Sequence, residues 1–142
     1  MTRGPLIDDR LLISHLLAGP IAGDGVATTS LWYFRACRAA VLGAGGALSG
    51  PCRRLDTERQ NAAIRQLLLL GDDVSLPDQR AVVPEMARLA ERHTRLNLMN
   101  LEALAAAVLG GAEVLLSPPA ARGVLPDVLT AERVSWRVVE PA

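Results

Sequence analysis

Residues 96–117 constrain the fold of this chain more than any other stretch. Their sequence, LNLMNLEALAAAVLGGAEVLLS, repeats apolar residues at i, i+3, i+4 and i+7, which predicts one inward helical stripe of Leu98, Leu101, Leu104, Ala105 and Val108. Gly110 and Gly111 predict the helix end, because glycine adopts the left-handed cap conformation without steric cost. The apolar run at 113–117 is typical of a strand buried on both faces. Glu102 is expected in the first turn of the helix.

Composition limits the class of protein. The chain has 142 residues, which suits a single domain spanning 1–142 with one core. Its net charge of zero argues against a strongly basic nucleic-acid platform but allows a local basic patch. No run approaches the roughly 20 apolar residues of a membrane span, and the first residues lack the apolar stretch of a signal peptide. We therefore expect a soluble cytoplasmic protein.

Short apolar segments alternate with amphipathic ones along the chain. Strands are expected at 5–7, 26–28, 73–76, 113–117 and 135–139, and helices at 9–17, 30–42, 57–70, 84–93, 98–110 and 124–131. The expected helix-start signals are Asp8, Ser30, the T-x-x-Q capping box at 57–60 and Pro84. This alternation predicts a three-layer α/β/α domain with a central, mainly parallel sheet of about five strands. Sites in such sheets lie beyond the carboxyl ends of the strands.

Other chemistry-bearing residues have ordinary structural interpretations. His15 and His93 stand alone on helices, so we interpret each as a packed or surface residue. Cys37 and Cys52 form no CxxC pair and are interpreted as reduced. The glycine-rich segment 43–51 lacks the Gly-Lys-Ser/Thr ending of a phosphate-binding loop and is expected to be a flexible loop.

Two segments resemble the PIN-domain family, which includes the VapC-type toxins of bacterial toxin–antitoxin pairs. One is LIDDRLL, a strand that closes on Asp with a helix directly after it, and the other is EALAAAVLGGAEVLLS. The resemblance covers nearly the whole chain in element order and length. It implies a magnesium- or manganese-dependent ribonuclease whose site contains about four carboxylates. It also implies a homodimer and a groove beside the site that holds an antitoxin-like partner.

Only part of the family's acid set is present. The resemblance places the first acid at Asp8 and the third at Glu102, where the family usually has Asp. The second acid falls near Phe34, and the fourth falls on Pro119, where the family has Thr-x-Asp. Residues 11–54 contain a single acid, Asp24, and residues 115–125 contain none. The implied site is therefore degenerate.

The remaining carboxylates allow two interpretations. Asp8 and Glu102 are the candidate catalytic residues, and with Asp9 they are the candidate ligands for Mg²⁺ or Mn²⁺. Asp8 is equally suited to cap a helix, and Glu102 to favour its own helix N-terminus. Our leading hypothesis is a PIN-like protein that binds RNA or a protein partner with little or no nuclease activity. The alternative is an active ribonuclease toxin that uses Asp8, Glu102 and Asp9.

Basic and aromatic residues cluster near the expected site. Four arginines are candidates for binding single-stranded RNA: Arg10, Arg35, Arg38 and Arg122. The Trp32-Tyr33-Phe34 segment places aromatic side chains beside them, and aromatic side chains stack on bases. Two other interpretations stay open. In the first, Trp32 and Phe34 belong to the core or to an interface. The expected packing residues of their helix are Leu31, Phe34, Ala40 and Val41. In the second, Arg10 or Arg35 pairs with Asp8 or Glu102.

Overall fold

The computed structural model describes residues 4–23, 25–42 and 56–141. The strands are β1 (Leu6–Ile7), β2 (Val26–Ala27), β3 (Val74–Ser75), β4 (Val114–Leu116) and β5 (Trp136–Val138). The helices are α1 (Asp9–Leu17), α2 (Ser30–Leu42), α3 (Thr57–Leu68), α4 (Gln79–Arg92), α5 (Leu98–Gly110), α6 (Pro118–Ala121) and α7 (Leu125–Ala131). The predicted loop at 43–51 and Cys52 lie outside the described residues. Within the described ranges, every helix is too short or too polar to span a membrane.

The five strands form one parallel sheet in the order β3-β2-β1-β4-β5. β1 lies at the centre, where Leu6 pairs with Ala27 of β2 and with Val114 of β4. The chain adds β2 and β3 on one side of β1 and then β4 and β5 on the other. The carboxyl ends of β1 and β4 therefore flank the point where the strand order reverses, which is where open α/β sheets place their ligands.

Helices cover both faces of the sheet, so the predicted three-layer α/β/α architecture is confirmed. Alternate strand residues point to opposite faces. Ile7 and Leu115 pack into a cluster with buried residues of α1 and α3. Leu6, Val114 and Leu116 pack into a second cluster with buried residues of α4, α5 and α7. The left-handed residue at the end of α5 is Gly111, with φ of 67°, as its glycine pair predicts.

Two helices start where predicted, but each is capped by the residue before the one predicted to do so. The Thr29 hydroxyl accepts a hydrogen bond from the Trp32 N–H at 3.0 Å, so Thr29 rather than Ser30 caps α2. The Asp56 carboxylate caps α3, so the capping box predicted at 57–60 is wrong. In each case a good capping residue directly precedes the predicted one and holds the first turn instead.

The start of α4 and the buried faces of α2 and α5 also differ from the sequence predictions. α4 starts at Gln79 with Asp78 as its cap, and Pro84 lies inside the helix instead of opening it. Phe34, Val41 and Leu98 were expected to pack inward, but their exposed fractions are 58%, 75% and 68%. In α2 the buried stripe is Trp32, Ala36 and Ala40, because small alanines let the helix lie close to its neighbours.

His15 is a packed residue, in agreement with its interpretation from sequence. Its Nδ1 atom accepts a hydrogen bond from the Ile21 N–H at 3.1 Å, and its Nε2 atom lies 2.9 Å from Asp73 Oδ2. Because Nδ1 is an acceptor, the neutral ring carries its proton on Nε2 and donates it to Asp73. The ring therefore fixes the segment that follows α1.

Glu132 supplies a pH-dependent link between α7 and α4. Its carboxylate lies 2.8 Å from His93 Nε2 and 2.8 Å from Arg92 Nη2, and these hydrogen bonds, His93 first, hold the pKa of Glu132 below its usual value. A carboxyl group with a lowered folded-state pKa stabilises the fold fully above its unfolded pKa. That contribution is lost as the pH falls through the folded pKa.

We expect Glu132→Gln to be less stable than the wild type at about pH 7, with the difference shrinking toward about pH 3. Urea unfolding followed by circular dichroism at both pH values measures this change. Glu91→Gln is the control, since Glu91 is exposed on α4. A stability difference for Glu132→Gln that is independent of pH would contradict the role given to the carboxylate.

Candidate functional site

A cleft of about 240 Å³ opens beyond the carboxyl ends of β1 and β4. Its walls come from α1, α2, α5 and the segment after β4. The polar lining residues are Asp9, Arg10, Arg35, Asn97, Asn100 and Ser117, and the apolar ones include Trp32, Met99, Pro119, Val124 and Leu125. Two guanidinium groups and one carboxylate therefore line the cleft, which favours an anionic ligand.

Asp8 precedes the cleft residue Asp9 and is fully buried. Its Oδ1 atom accepts the Leu11 N–H at 2.9 Å, which caps α1 as predicted. Its Oδ2 atom accepts both the Ser117 N–H at 2.9 Å and the Ser117 hydroxyl at 2.6 Å. Both carboxylate oxygens are thus occupied, and Asp8 ties the end of β1 to the end of β4.

Glu102 is buried and bonds to the first turn of a different helix. Its Oε1 atom accepts the Leu31 N–H at 2.8 Å, and its Oε2 atom lies 3.4 Å from the Gln79 Nε2 donor. The sequence prediction that Glu102 occupies the first turn of its helix is wrong, because Asn97 caps α5 and the first turn contains no acid. Glu102 instead satisfies a backbone donor at the N-terminus of α2, which carries a partial positive charge.

Asp9 and Arg35 form an ion pair inside the cleft. The Arg35 Nε atom lies 3.4 Å from Asp9 Oδ2, and the Arg35 side chain is 53% exposed. Burial raises the pKa of Asp9, an effect opposed by the Arg35 charge and reinforced by the Asp8 charge. Asp8 or Glu102 was the expected partner of Arg35. The observed partner is Asp9, the residue that follows Asp8 at the start of α1.

The four candidate arginines do not form one group. Arg10 and Arg35 line the cleft. Arg38 lies on α2, three residues beyond Arg35. The Arg122 Nε atom donates to the Pro118 carbonyl at 3.3 Å, and Arg122 is absent from the lining of the cleft. The structure thus brings two of the four together with Asp9.

The three consecutive aromatic residues of α2 have separate environments. Trp32 is buried in the core and contributes to the cleft wall. The Tyr33 hydroxyl donates to the Leu67 carbonyl at 3.1 Å. Phe34 is exposed, so its interpretation as a core residue is wrong. Phe34 is therefore free to contact a ligand at the surface of α2.

The carboxylates do not fit a magnesium or manganese site. These ions require several oxygen ligands, usually one or two carboxylates supplemented by water and phosphate. Asp8 and Glu102 already accept protein hydrogen bonds on both oxygens, and Asp9 faces a guanidinium. In the part of the chain that the structure describes, no three His, Cys, Asp or Glu side chains are grouped so that they could hold a metal ion.

Several cleft residues were not predicted from the sequence. Ser117 was expected only as the last residue of the strand at 113–117, yet it supplies two donors to Asp8. Asn97 and Asn100 line the wall formed by α5, where the Asn97 side chain caps the helix by accepting the Asn100 N–H at 2.9 Å. Asn97 was detectable from sequence, because Asn directly before an apolar periodic run is a typical helix-start signal.

No protein-family model matches the chain, and no curated protein is significantly similar to it.

Proposed function

We propose that the chain is a cytoplasmic PIN-like domain, similar to the VapC-type toxins, that binds single-stranded RNA in the cleft without cleaving it. The observation that carries this proposal is the Arg35 guanidinium, which lies beside Asp9 where a metal-dependent nuclease would need unpaired carboxylates. The resemblance of the Asp8 and Glu102 segments to the PIN family supports RNA as the ligand.

The charges and shape of the cleft support RNA binding. Arg10 and Arg35 outnumber Asp9, the one acid in the lining. Phe34 and Arg38 are exposed on α2, one residue before and three residues after Arg35, and lie outside the lining of the cleft. Guanidinium groups bind phosphates, and an exposed aromatic ring stacks on bases without sequence preference. The surface thus combines the two kinds of contact that single-stranded RNA requires.

The bonding of the three acids supports the absence of cleavage. An active ribonuclease that used Asp8, Glu102 and Asp9 would have to bind Mg²⁺ or Mn²⁺ beside the Arg35 guanidinium, either through the lone pairs that the existing hydrogen bonds leave free or by turning the carboxylates away from their donors. Releasing Asp8 would leave the buried donors of Leu11 and Ser117 unsatisfied, at a cost of about 1–3 kcal/mol for each donor. We therefore assign no catalytic step to a metal in the proposed function.

Arg35→Gln tests the binding proposal. We expect the wild type to bind a fluorescein-labelled oligouridylate of about 12 nucleotides without metal, and to bind more weakly as salt is raised. Loss of one guanidinium–phosphate contact should lower the affinity by about tenfold or more and reduce the salt slope by about 0.7. Fluorescence anisotropy titrations at several salt concentrations measure both quantities.

Arg65→Gln is the matched control, because Arg65 is exposed on α3 and does not line the cleft. Absence of binding at low salt would remove the proposed function. Cleavage of the same RNA that requires Mn²⁺ and disappears in Asp8→Asn would establish the active ribonuclease instead. Asp8→Asn must be shown to be folded in that assay by its circular dichroism spectrum.

The resemblance also implies a homodimer and an antitoxin-like partner, and both stay predictions. Exposed apolar side chains such as Val41, Leu42 and Leu69 provide surface for protein contacts. Single exposed apolar residues are common on monomeric proteins, so these positions alone do not identify the partner.

A further inference from the structure

Arg35 occupies a position between Asp9 and the open cleft. One side of its guanidinium faces the nearly buried Asp9 carboxylate, and about half of its side chain is accessible to solvent. Its Nη1 atom lies 3.6 Å from the Met99 sulfur, a weak acceptor on the opposite wall of the cleft. The guanidinium thus has donors that a stronger acceptor entering the cleft could use.

We infer that Asp9 sets the affinity of the cleft for RNA, because an RNA phosphate has to displace the Asp9 carboxylate from Arg35 in order to bind. This inference rests on the proposed function for the identity of the ligand. It assigns Asp9 a role different from metal ligation: Asp9 competes with the phosphate for Arg35. A change that removes the Asp9 charge should therefore strengthen RNA binding, and this gain should require Arg35.

The geometry of the ion pair favours this exchange. Its 3.4 Å separation exceeds the roughly 2.7–2.9 Å of a strong charge-assisted hydrogen bond, so the pair is easily replaced. Asp9 does not depend on Arg35 for its position. Its carboxylate lies in the first turn of α1, where the backbone N–H groups of Asp9 and Arg10 lower the pKa of the carboxyl group and so favour the anion. Asp9 can therefore stay in place when Arg35 turns to a ligand.

A phosphate is a better partner for Arg35 than Asp9 is. Phosphate oxygens accept two parallel hydrogen bonds from one guanidinium, and Arg10 adds a second positive charge in the same cleft. The Asp9 carboxylate stays close to the bound phosphate and repels it. Removing that charge should raise the affinity for RNA by about tenfold, since like charges several ångströms apart near a protein surface repel each other appreciably.

Asp9→Asn tests the inference because it keeps the size of the side chain and removes its charge. RNA affinity is measured for the wild type, Asp9→Asn, Arg35→Gln and the double variant with the labelled oligouridylate. We expect the gain from Asp9→Asn to disappear when Arg35 is also replaced. Glu58→Gln is the control, because it makes the same change in net charge at an exposed position on α3.

A second measurement uses the wild-type protein and does not depend on the folding of a variant. The Arg35 Nε–H resonance in a ¹⁵N-correlated NMR spectrum, assigned through its loss in Arg35→Gln, should shift during an RNA titration, as the guanidinium leaves Asp9. RNA binding that leaves this resonance unchanged would overturn the inference.

The outcomes separate the inference from the proposed function. If the wild type binds RNA and Asp9→Asn binds equally well or more weakly, the inference fails and the proposed function stands. If only Asp9→Asn binds, Asp9 does block Arg35, and the proposed function of the natural chain fails. An equal gain of RNA affinity in Glu58→Gln would show that the gain comes from the change in net charge, and it would overturn the inference. Absence of binding in every variant overturns both.

Discussion

Asp8→Ala should lower the free energy of unfolding by about 3–4 kcal/mol, a large part of the roughly 5–15 kcal/mol that holds a typical domain together. The substitution removes the cap of α1, worth about 1 kcal/mol. It also leaves the Ser117 N–H and hydroxyl without their acceptor in a site that is closed to water. Chemical denaturation followed by circular dichroism measures the change.

Asp8→Asn separates this structural role from that of a metal ligand. In a cluster of free active-site acids, replacing one charge relieves repulsion and commonly stabilises the protein. Here the asparagine amide would place a donor against the Ser117 N–H, so stability should fall. Ser117→Ala serves as the matched partner variant. Because Asp8→Ala and Ser117→Ala remove the same hydrogen bond, the double variant should lose less free energy of unfolding than the sum of the two single losses. Unchanged or higher stability in Asp8→Asn would contradict the structural role.

The fold was largely predictable because its signals are local. The apolar stripe of α5, the left-handed Gly111 and the short buried run of β4 lie within one continuous segment. Each follows from the conformational preferences of the residues involved. Parallel strands joined by helices then require helices on both faces of the sheet, and the structure has this arrangement.

The bonding of the site was less predictable because its contacts join distant parts of the chain. Asp8 and Ser117 are separated by 109 positions, and Glu102 and Leu31 by 71. Ser117 donates to Asp8 through a backbone N–H as well as its hydroxyl. Because every residue except proline has a backbone N–H, the sequence does not indicate which acceptor this donor will bond. The cap that Asp8 forms on α1 was predictable, whereas its bonds from Ser117 and the bond from Leu31 to Glu102 were not.

The orientation of α2 was mispredicted for a related reason. Phe34 and Val41 are the larger apolar residues, so a stripe drawn by hydrophobicity alone includes them. The helix instead buries Ala36 and Ala40. Its start is fixed by the Thr29 side chain and by Glu102, which approaches from another helix. Packing against neighbours thus determined which face of α2 is buried and left Arg35 facing the cleft.

Glu102→Ala should lower the free energy of unfolding by about 2–3 kcal/mol. The substitution removes the acceptor for the Leu31 N–H at the first turn of α2 and leaves a space where a buried side chain lay. α2 also carries Arg35, so a loosened first turn should also weaken the proposed RNA binding. Denaturation curves measure the first effect, and anisotropy titration with the labelled oligouridylate measures the second.

Glu102→Gln and Gln79→Ala distinguish the hydrogen bond from the other contributions of Glu102. In Glu102→Gln the amide oxygen of the new side chain could still accept the Leu31 N–H, so this variant should lose about 1 kcal/mol or less. Gln79→Ala should have a smaller effect, because Gln79 is exposed and its 3.4 Å contact with Glu102 is long. If Glu102 were instead a free carboxylate of a nuclease site, Glu102→Gln would stabilise the fold. An increase in stability in that variant would therefore show that the bond to α2 is not the main role of Glu102.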